Sequence, residues 1–244
     1  MKKLIESIVD WVYPPRCMSC KNPLPLQDTH MRGLWLCGYC EKLFVPIEGP
    51  RCEVCSAPVI AGVLVCVSCN GKDYWFAKNK SAFAYAGIMR DMIRDLKFRR
   101  RRHVAWGLGR LWAKQIDIPA DVILVPLPLH RAKQKERGYN QAYILAKAIS
   151  EVTGHTMANV LARTRDTPPQ SGLHPQLRKE NVMGAFNVIS DNIGNKCFAV
   201  VDDIYTTGAS INECAKVLMG AGARKVYALT LAITVKKDPE QEDN

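Results

Sequence analysis

The sequence predicts an α/β fold, a parallel sheet flanked by helices, preceded by a small cysteine-rich module. Two observations carry that expectation. A short apolar strand followed by a polar loop and a helix occurs twice, at 121–149 and 197–220, the repeat expected where crossover helices join parallel strands. Eight of the ten cysteines fall before residue 70 in four Cys-x-x-Cys pairs, where few large apolar residues are present to build a core. A chain of 244 residues has room for one or two domains. The expected boundaries are 1–76 for an N-terminal helix and the cysteine module, 77–236 for the α/β domain and 237–244 for a charged tail.

No apolar run reaches the roughly 20 residues of a membrane span, so no stable insertion is expected. The first residues place Leu4, Ile5, Ile8, Val9 and Val12 on one helical face but interrupt them with Glu6 and Asp10. That is an amphipathic packing helix, not an export signal, and it predicts a cytoplasmic protein. The net charge of +11 is concentrated: residues 1–77 carry +1, 78–147 carry +11 and 148–244 carry −1. A positive field confined to 78–147 suits polyanions such as pyrophosphate or single-stranded DNA.

Cys17/Cys20 and Cys37/Cys40 are separated by sixteen residues, Cys52/Cys55 and Cys66/Cys69 by ten. These are the spacings of two four-thiolate zinc sites, each clamped by two knuckles. A disulfide framework is the competing reading, and it lacks an export signal. Either sequential pairing or a cross-braced arrangement satisfies the spacing. With every ligand a cysteine, neither metal keeps an open position, so both sites are read as structural, and metal binding is the module's folding energy.

Ser81 to Gly87 reads as a strand ending at glycine, and Ile88 to Phe98 as a helix with Met89, Met92, Ile93 and Leu96 on one face. Lys97 to Arg102 places five cations within six residues, either a solvated helix end or an anion-binding edge. A helix from His103 to Lys114 follows, with Val104, Leu108 and Leu111 inward. Asp121 to Pro128 is a buried strand, Leu129 to Gln141 a basic loop, and Asn140 the cap of a helix carrying Tyr143, Ile144, Leu145, Ala148 and Ile149. Phe186 to Ile189 and Val226 to Ile233 complete the strands, with Cys197 and Cys214 as small core residues.

The second unit carries the chemistry. Cys197 to Val201 is a strand, Ser210 opens a helix that stops at Gly220-Ala221-Gly222, and Asp202-Asp203-Ile204-Tyr205-Thr206-Thr207-Gly208-Ala209 forms the turn between. Free N–H groups at a helix start, hydroxyls and a glycine make a phosphate cradle. Two carboxylates would repel a phosphate but accept hydrogen bonds from hydroxyls such as those of a ribose. An acidic turn that merely caps a helix is the plainer reading, yet capping needs one such residue and this turn has six.

The segment resembles the phosphoribosyl-pyrophosphate (PRPP) motif of type I phosphoribosyltransferases. The resemblance implies that Asp202 and Asp203 hold the ribose hydroxyls and that Thr206, Thr207, Gly208, Ala209 and Ser210 wrap the 5′-phosphate. It also implies that Leu129, His130 and Arg131 form the pyrophosphate loop, with Arg131 and Arg137 as diphosphate contacts. Both loops would project from the carboxyl ends of neighbouring strands into one crevice.

Arg137-Gly138-Tyr139-Asn140-Gln141, together with Arg163 to Leu173 and Arg178 to Phe186, extends the match. As a set these strings resemble the ComF family, including its GntX-type members: bacterial proteins with an amino-terminal double zinc ribbon and a phosphoribosyltransferase domain, associated with competence and the uptake or use of external DNA. Membership implies PRPP as ligand, magnesium bound with it, zinc in both cysteine quartets, and partners in the DNA-uptake machinery. It makes Thr164 to Gln176 a lid over PRPP, with Gln170 and Arg178 as contacts, and Asp202, Asp203 and Arg131 the catalytic set. The expected activity is phosphoribosyl transfer to an acceptor, a glycosyltransferase-class reaction. The alternative is a non-catalytic adaptor of the same fold that binds single-stranded DNA or protein partners.

Overall fold

A computed structural model describes residues 16–17, 19–24, 36–99, 101–167 and 175–235. The expected N-terminal helix, Gln170 with the middle of the 164–176 loop, and the tail lie outside them. In chain order the elements are α1 (Gly38–Lys42), β1 (Asn79–Ala84), α2 (Gly87–Phe98), α3 (Arg102–Ala113), β2 (Ile123–Pro126), α4 (Arg131–Arg137), α5 (Gln141–Thr153), β3 (Leu161–Arg163), α6 (Pro175–Val182), β4 (Phe186–Val188), β5 (Cys197–Tyr205), α7 (Ala209–Gly220) and β6 (Lys225–Ile233). Four strands form a parallel sheet in the order β1-β6-β5-β2. Helices cover both faces, which is why β5 and β6 read as near-continuous apolar runs.

Successive β5 residues serve different cores. Ala199 and Val201 pack with α2, α3 and α5, whereas Phe198 and Val200 pack with α7 and with Cys52, Cys55 and Cys69. On the first side Gly109 lets α3 approach α5, since a Cβ there would lie 2.7 Å from Ala148 Cβ. The Asn140 side chain accepts from Ala142 N (2.9 Å), capping α5 as the sequence predicts.

Three expectations need correction. Leu129 to Gln141 is not a loop throughout: residues 131–137 form α4, closed by Gly138 at φ +78°. Phe186 to Ile189 does not join the main sheet; β4 pairs antiparallel with β3 in a separate two-stranded unit. Asp202 and Asp203 lie on the last part of β5, not in the turn, because β5 stays paired with β6 as far as Tyr205 opposite Ile233.

Both edges of the parallel sheet carry a short extra pairing. Residues 45–47 of the cysteine module run antiparallel to β1 through Ala84 N to Val45 O (3.1 Å) and Ile47 N to Ala82 O (3.4 Å). On β2, Leu124 N donates to Thr156 O (2.8 Å) and Ala158 N to Leu124 O (2.9 Å).

Candidate functional site

The cysteines gather into two quartets, Cys17/Cys20/Cys37/Cys40 and Cys52/Cys55/Cys66/Cys69, each with its sulfurs within 4.8 Å of one another. The open question of pairing is thereby settled in favour of sequential sites. Cys20 Sγ lies 3.8 Å from Cys37 Sγ and Cys55 Sγ 3.7 Å from Cys66 Sγ. Sulfurs at the corners of a tetrahedron with zinc–sulfur bonds of about 2.3 Å stand about 3.8 Å apart, so the quartets fit zinc. Backbone donors prepare the thiolates: Cys37 N and Cys66 N point to Cys17 Sγ (3.4 Å) and Cys52 Sγ (3.3 Å). Burial would raise the Cys17 thiol, yet N–H donors bring it down to about 6; the same balance puts Cys52 at about 7.

The second quartet is built into the α/β domain. Asn79 at the start of β1 donates through Nδ2 to Cys55 O (2.8 Å) and through its backbone to Val54 O (2.7 Å). Tyr74 Oη reaches Cys69 Sγ at 3.8 Å, and the backbone N of Trp75 donates to Asn212 Oδ1 in the first turn of α7 (2.7 Å).

At the carboxyl edge of the sheet, β5 delivers the acid pair. Asp203 is 2% exposed and turns towards α2, where Lys97 Nζ meets its Oδ2 at 2.9 Å. Asp202 is partly buried, and its Oδ1 accepts from Asp203 N (2.8 Å). Burial, then the neighbouring Asp203 charge, pushes the Asp202 carboxyl up to about 7 despite Lys97. Beyond Tyr205 the chain turns through Gly208 at φ +74° into α7, whose first N–H, that of Ala209, donates to Thr207 Oγ1 (3.4 Å). Thr206 is exposed, while Thr207, Ala209 and Ser210 are partly buried around the helix start. Gly208 is required twice: for its positive φ, and because a Cβ would fall 2.4 Å from Tyr205 Oη.

The loop after β2 stands beside the acids, since β2 and β5 are paired up to Pro126 opposite Val201 and Leu127 N donates to Val201 O (2.9 Å). Leu129 and His130 are partly buried there, and His130 Nδ1 lies 3.3 Å from Asp166 Oδ1. Arg131 opens α4 and is exposed, whereas Arg137 is turned back to Gln141 Oε1 (2.9 Å). Arg178 lies on α6.

Within the basic run Lys97 and Arg101 are partly buried and ion-paired, whereas Arg99 and Arg102 are exposed although each has a partner. Arg99 and Arg101 pair with Asp95 (3.3 and 2.7 Å), Lys97 pairs with Asp203, and Arg102 lies over the Tyr139 ring (5.4 Å). Tyr139 Oη in turn donates to Leu96 O, tying the end of α2 to the Arg-Gly-Tyr-Asn-Gln string.

Sequence reasoning did not single out Lys97 or Arg163. Lys97 stands four residues after buried Ile93 and next to buried Leu96, so a charge on an apolar helix face was the available signal. Arg163, on β3, stacks 5.4 Å over Phe186 and donates to Thr167 Oγ1, while its buried Nε has no partner among the described residues. Its isolated position in a short strand gives no periodic signal.

Residues 8–70 match the family model described as a double zinc ribbon domain. The DNA utilization protein YhgH of Escherichia coli is 28% identical over 233 residues, 91% of this chain and 98% of that protein. Competence protein F of Haemophilus influenzae is 27% identical over 89% of this chain and 96% of its own. Competence protein ComFC of Bacillus subtilis is 24% identical, covering 88% and 93%. Among solved structures, glutamine PRPP amidotransferase from B. subtilis overlaps 52% of this chain and 25% of its own, with 20% identity and a TM-score of 0.36. A hypoxanthine phosphoribosyltransferase from Staphylococcus aureus overlaps 58% and 70%, with 16% identity and a TM-score of 0.30.

Proposed function

We propose that this chain, a member of the ComF family, binds PRPP at the carboxyl edge of its sheet and transfers the phosphoribosyl group to an acceptor with release of pyrophosphate. The observation that carries this reading is the acid pair Asp202–Asp203 near the end of β5, separated only by the short Thr206-Thr207-Gly208 turn that follows Tyr205 from the start of α7, a turn that brings hydroxyls and helix N–H groups to the same sheet edge. Carboxylates that accept from vicinal hydroxyls stand next to backbone donors that suit a phosphate, the two ends of one pentose phosphate.

In this reading Asp203, held by Lys97, and Asp202 accept hydrogen bonds from the ribose hydroxyls, while amides and hydroxyls of 206–210 hold the 5′-phosphate. As the bond to the diphosphate breaks, positive charge grows on the ring and negative charge on the leaving oxygens. The carboxylates favour the first, and Arg131 with the 129–131 backbone favours the second. Magnesium, when bound with the diphosphate, supplies further charge neutralisation, and Asp202 is the carboxylate that Lys97 leaves open to it.

Calorimetric titration of the zinc-loaded chain with PRPP and magnesium should show one site per chain, and pyrophosphate release should disappear in Asp202→Ala/Asp203→Ala. Absence of binding by the wild-type chain would refute the reading.

A second reading, the non-catalytic adaptor, is favoured by the names of the relatives, competence protein F and DNA utilization protein, and by exposed Arg94, Arg131 and Lys135. Affinity for single-stranded DNA that falls steeply with salt and survives the double substitution would support it.

A further inference from the structure

Tyr205 joins two parts of the molecule that the sequence presents separately. Its ring lies against Gly208, with Oη, Cζ and Cε2 all within 2.9 Å of where a Cβ would sit. On the other side it meets Phe76 edge to face at 6.3 Å, Phe76 meets Tyr74 at 5.0 Å, and Tyr74 Oη reaches Cys69 Sγ at 3.8 Å. Tyr205 is 3% exposed, and its hydroxyl has no hydrogen-bond partner among the described residues, so the ring is held by packing alone. Cys52, Cys55 and Cys69 share one apolar cluster with Tyr205, Ile211 and Cys214. A second strut runs from Trp75 N to Asn212 Oδ1. Cys17 and Cys40 of the first quartet belong to the other core, with α2 and α3.

We propose that the second zinc site is the footing of the phosphate loop: metal in the Cys52/Cys55/Cys66/Cys69 quartet sets the order of residues 206–212, and with it the affinity for a sugar phosphate, through the positioning residue Tyr205. The inference rests on the reading of 206–210 as a phosphate cradle, but its mechanical part stands apart from that reading. Without metal the four sulfurs lose the ion that fixes the knuckle, so Tyr74 and Phe76 lose their support. The Tyr205 ring, whose hydroxyl has no partner among the described residues, then loses the Phe76 face that holds it beneath Gly208, and the backbone donors at the start of α7 lose their fixed aim. Among the described residues, Cys17 and Cys40 of the first quartet pack in the other cluster, apart from Phe76 and Tyr205.

The test uses the full zinc-loaded chain with two readouts, hydrogen exchange of amides 206–212 and titration with ribose 5-phosphate. Cys66→Ser should speed exchange at 206–212 by at least tenfold and weaken ribose 5-phosphate binding at least tenfold, with protection of 197–201 and 226–231 retained. Tyr205→Leu should reproduce both losses with zinc content unchanged, and Tyr205→Phe, which keeps the ring, should restore them. Cys20→Ser, in the first quartet, should leave exchange at 206–212 as it is. Unchanged loop exchange in Tyr205→Leu would overturn the proposal even if Cys66→Ser failed to fold. Equal loss from Cys20→Ser would overturn it too. If the wild-type chain bound no ribose 5-phosphate, the phosphate reading would fall, and the exchange data would still decide the coupling.

Discussion

The ammonium of Lys97 lies 2.9 Å from Oδ2 of Asp203, an acid whose side chain is 4% exposed, so the end of α2 is fastened to the end of β5 by a largely buried ion pair. Removing one partner of such a pair strands the other's charge away from water. Lys97 is itself 24% exposed, which softens the penalty. Lys97→Met should therefore cost about 2–4 kcal/mol of stability in urea unfolding near pH 7.5. Adding Asp203→Asn removes the stranded charge and should recover at least half of that loss. Additive losses from the two substitutions would show that the pair is not coupled.

Asp202 gives the fold a pH dependence of definite sign. Its carboxyl titrates near 3.8 when unperturbed and about 7 in the fold, because burial and then Asp203 disfavour its charge. Between those values the folded chain holds a proton that the unfolded chain has released, so this group makes stability fall as pH rises from about 4 to about 7, with no further change above. Asp202→Asn keeps an acceptor for Asp203 N and should stabilise the chain by about 2–4 kcal/mol at pH 8 and by little at pH 4. Thermal melts of both proteins across that range check the sign.

The sequential quartets predict two zinc ions per chain by elemental analysis. Cys17→Ser/Cys40→Ser strikes two ligands of one quartet and should leave one ion bound. Under cross-bracing of the first with the third pair, the same two changes would damage both sites. Chelation of the remaining ion should then unfold what is left of the module, seen as lost protection around 52–69.

Gly208→Ala would put a methyl group 2.4 Å from Tyr205 Oη at a φ of +74°. Neither strain is relieved by moving a flexible side-chain end, because the ring is wedged against Phe76. A loss of about 1–3 kcal/mol is expected in denaturant unfolding. The companion change Gly154→Ala, also at positive φ but with open space around its Cβ, should cost less.

Residues that obey periodicity or spacing rules were readable in advance. The cysteine spacing gave both quartets, the buried face of α2 followed from Met89, Ile93 and Leu96, and Asn140 capped α5 as its side chain allows. What sequence could not give were partnerships across long separations. Lys97 meets Asp203 more than a hundred residues away, and nothing local tells a solvated helix end from a buried counter-ion. The extent of β5 escaped for a related reason: acids end a strand by local preference, but pairing with β6 carries the backbone through them. The helix at 131–137 was hidden because it buries none of its residues and so lacks an apolar stripe.

The pairing of residues 45–47 alongside β1 bears on how the molecule avoids self-association. An outermost parallel strand with bare amides and carbonyls invites strands from neighbouring molecules. Here the metal-held front end occupies that position, as the 156–158 segment does at the opposite margin. Trimming the chain to its α/β portion would uncover the β1 margin and expose the apolar side chains that Ile47 and Phe44 cover. The excised piece would be sticky, a hazard for expression work and a reason for the two portions to be inherited as one chain.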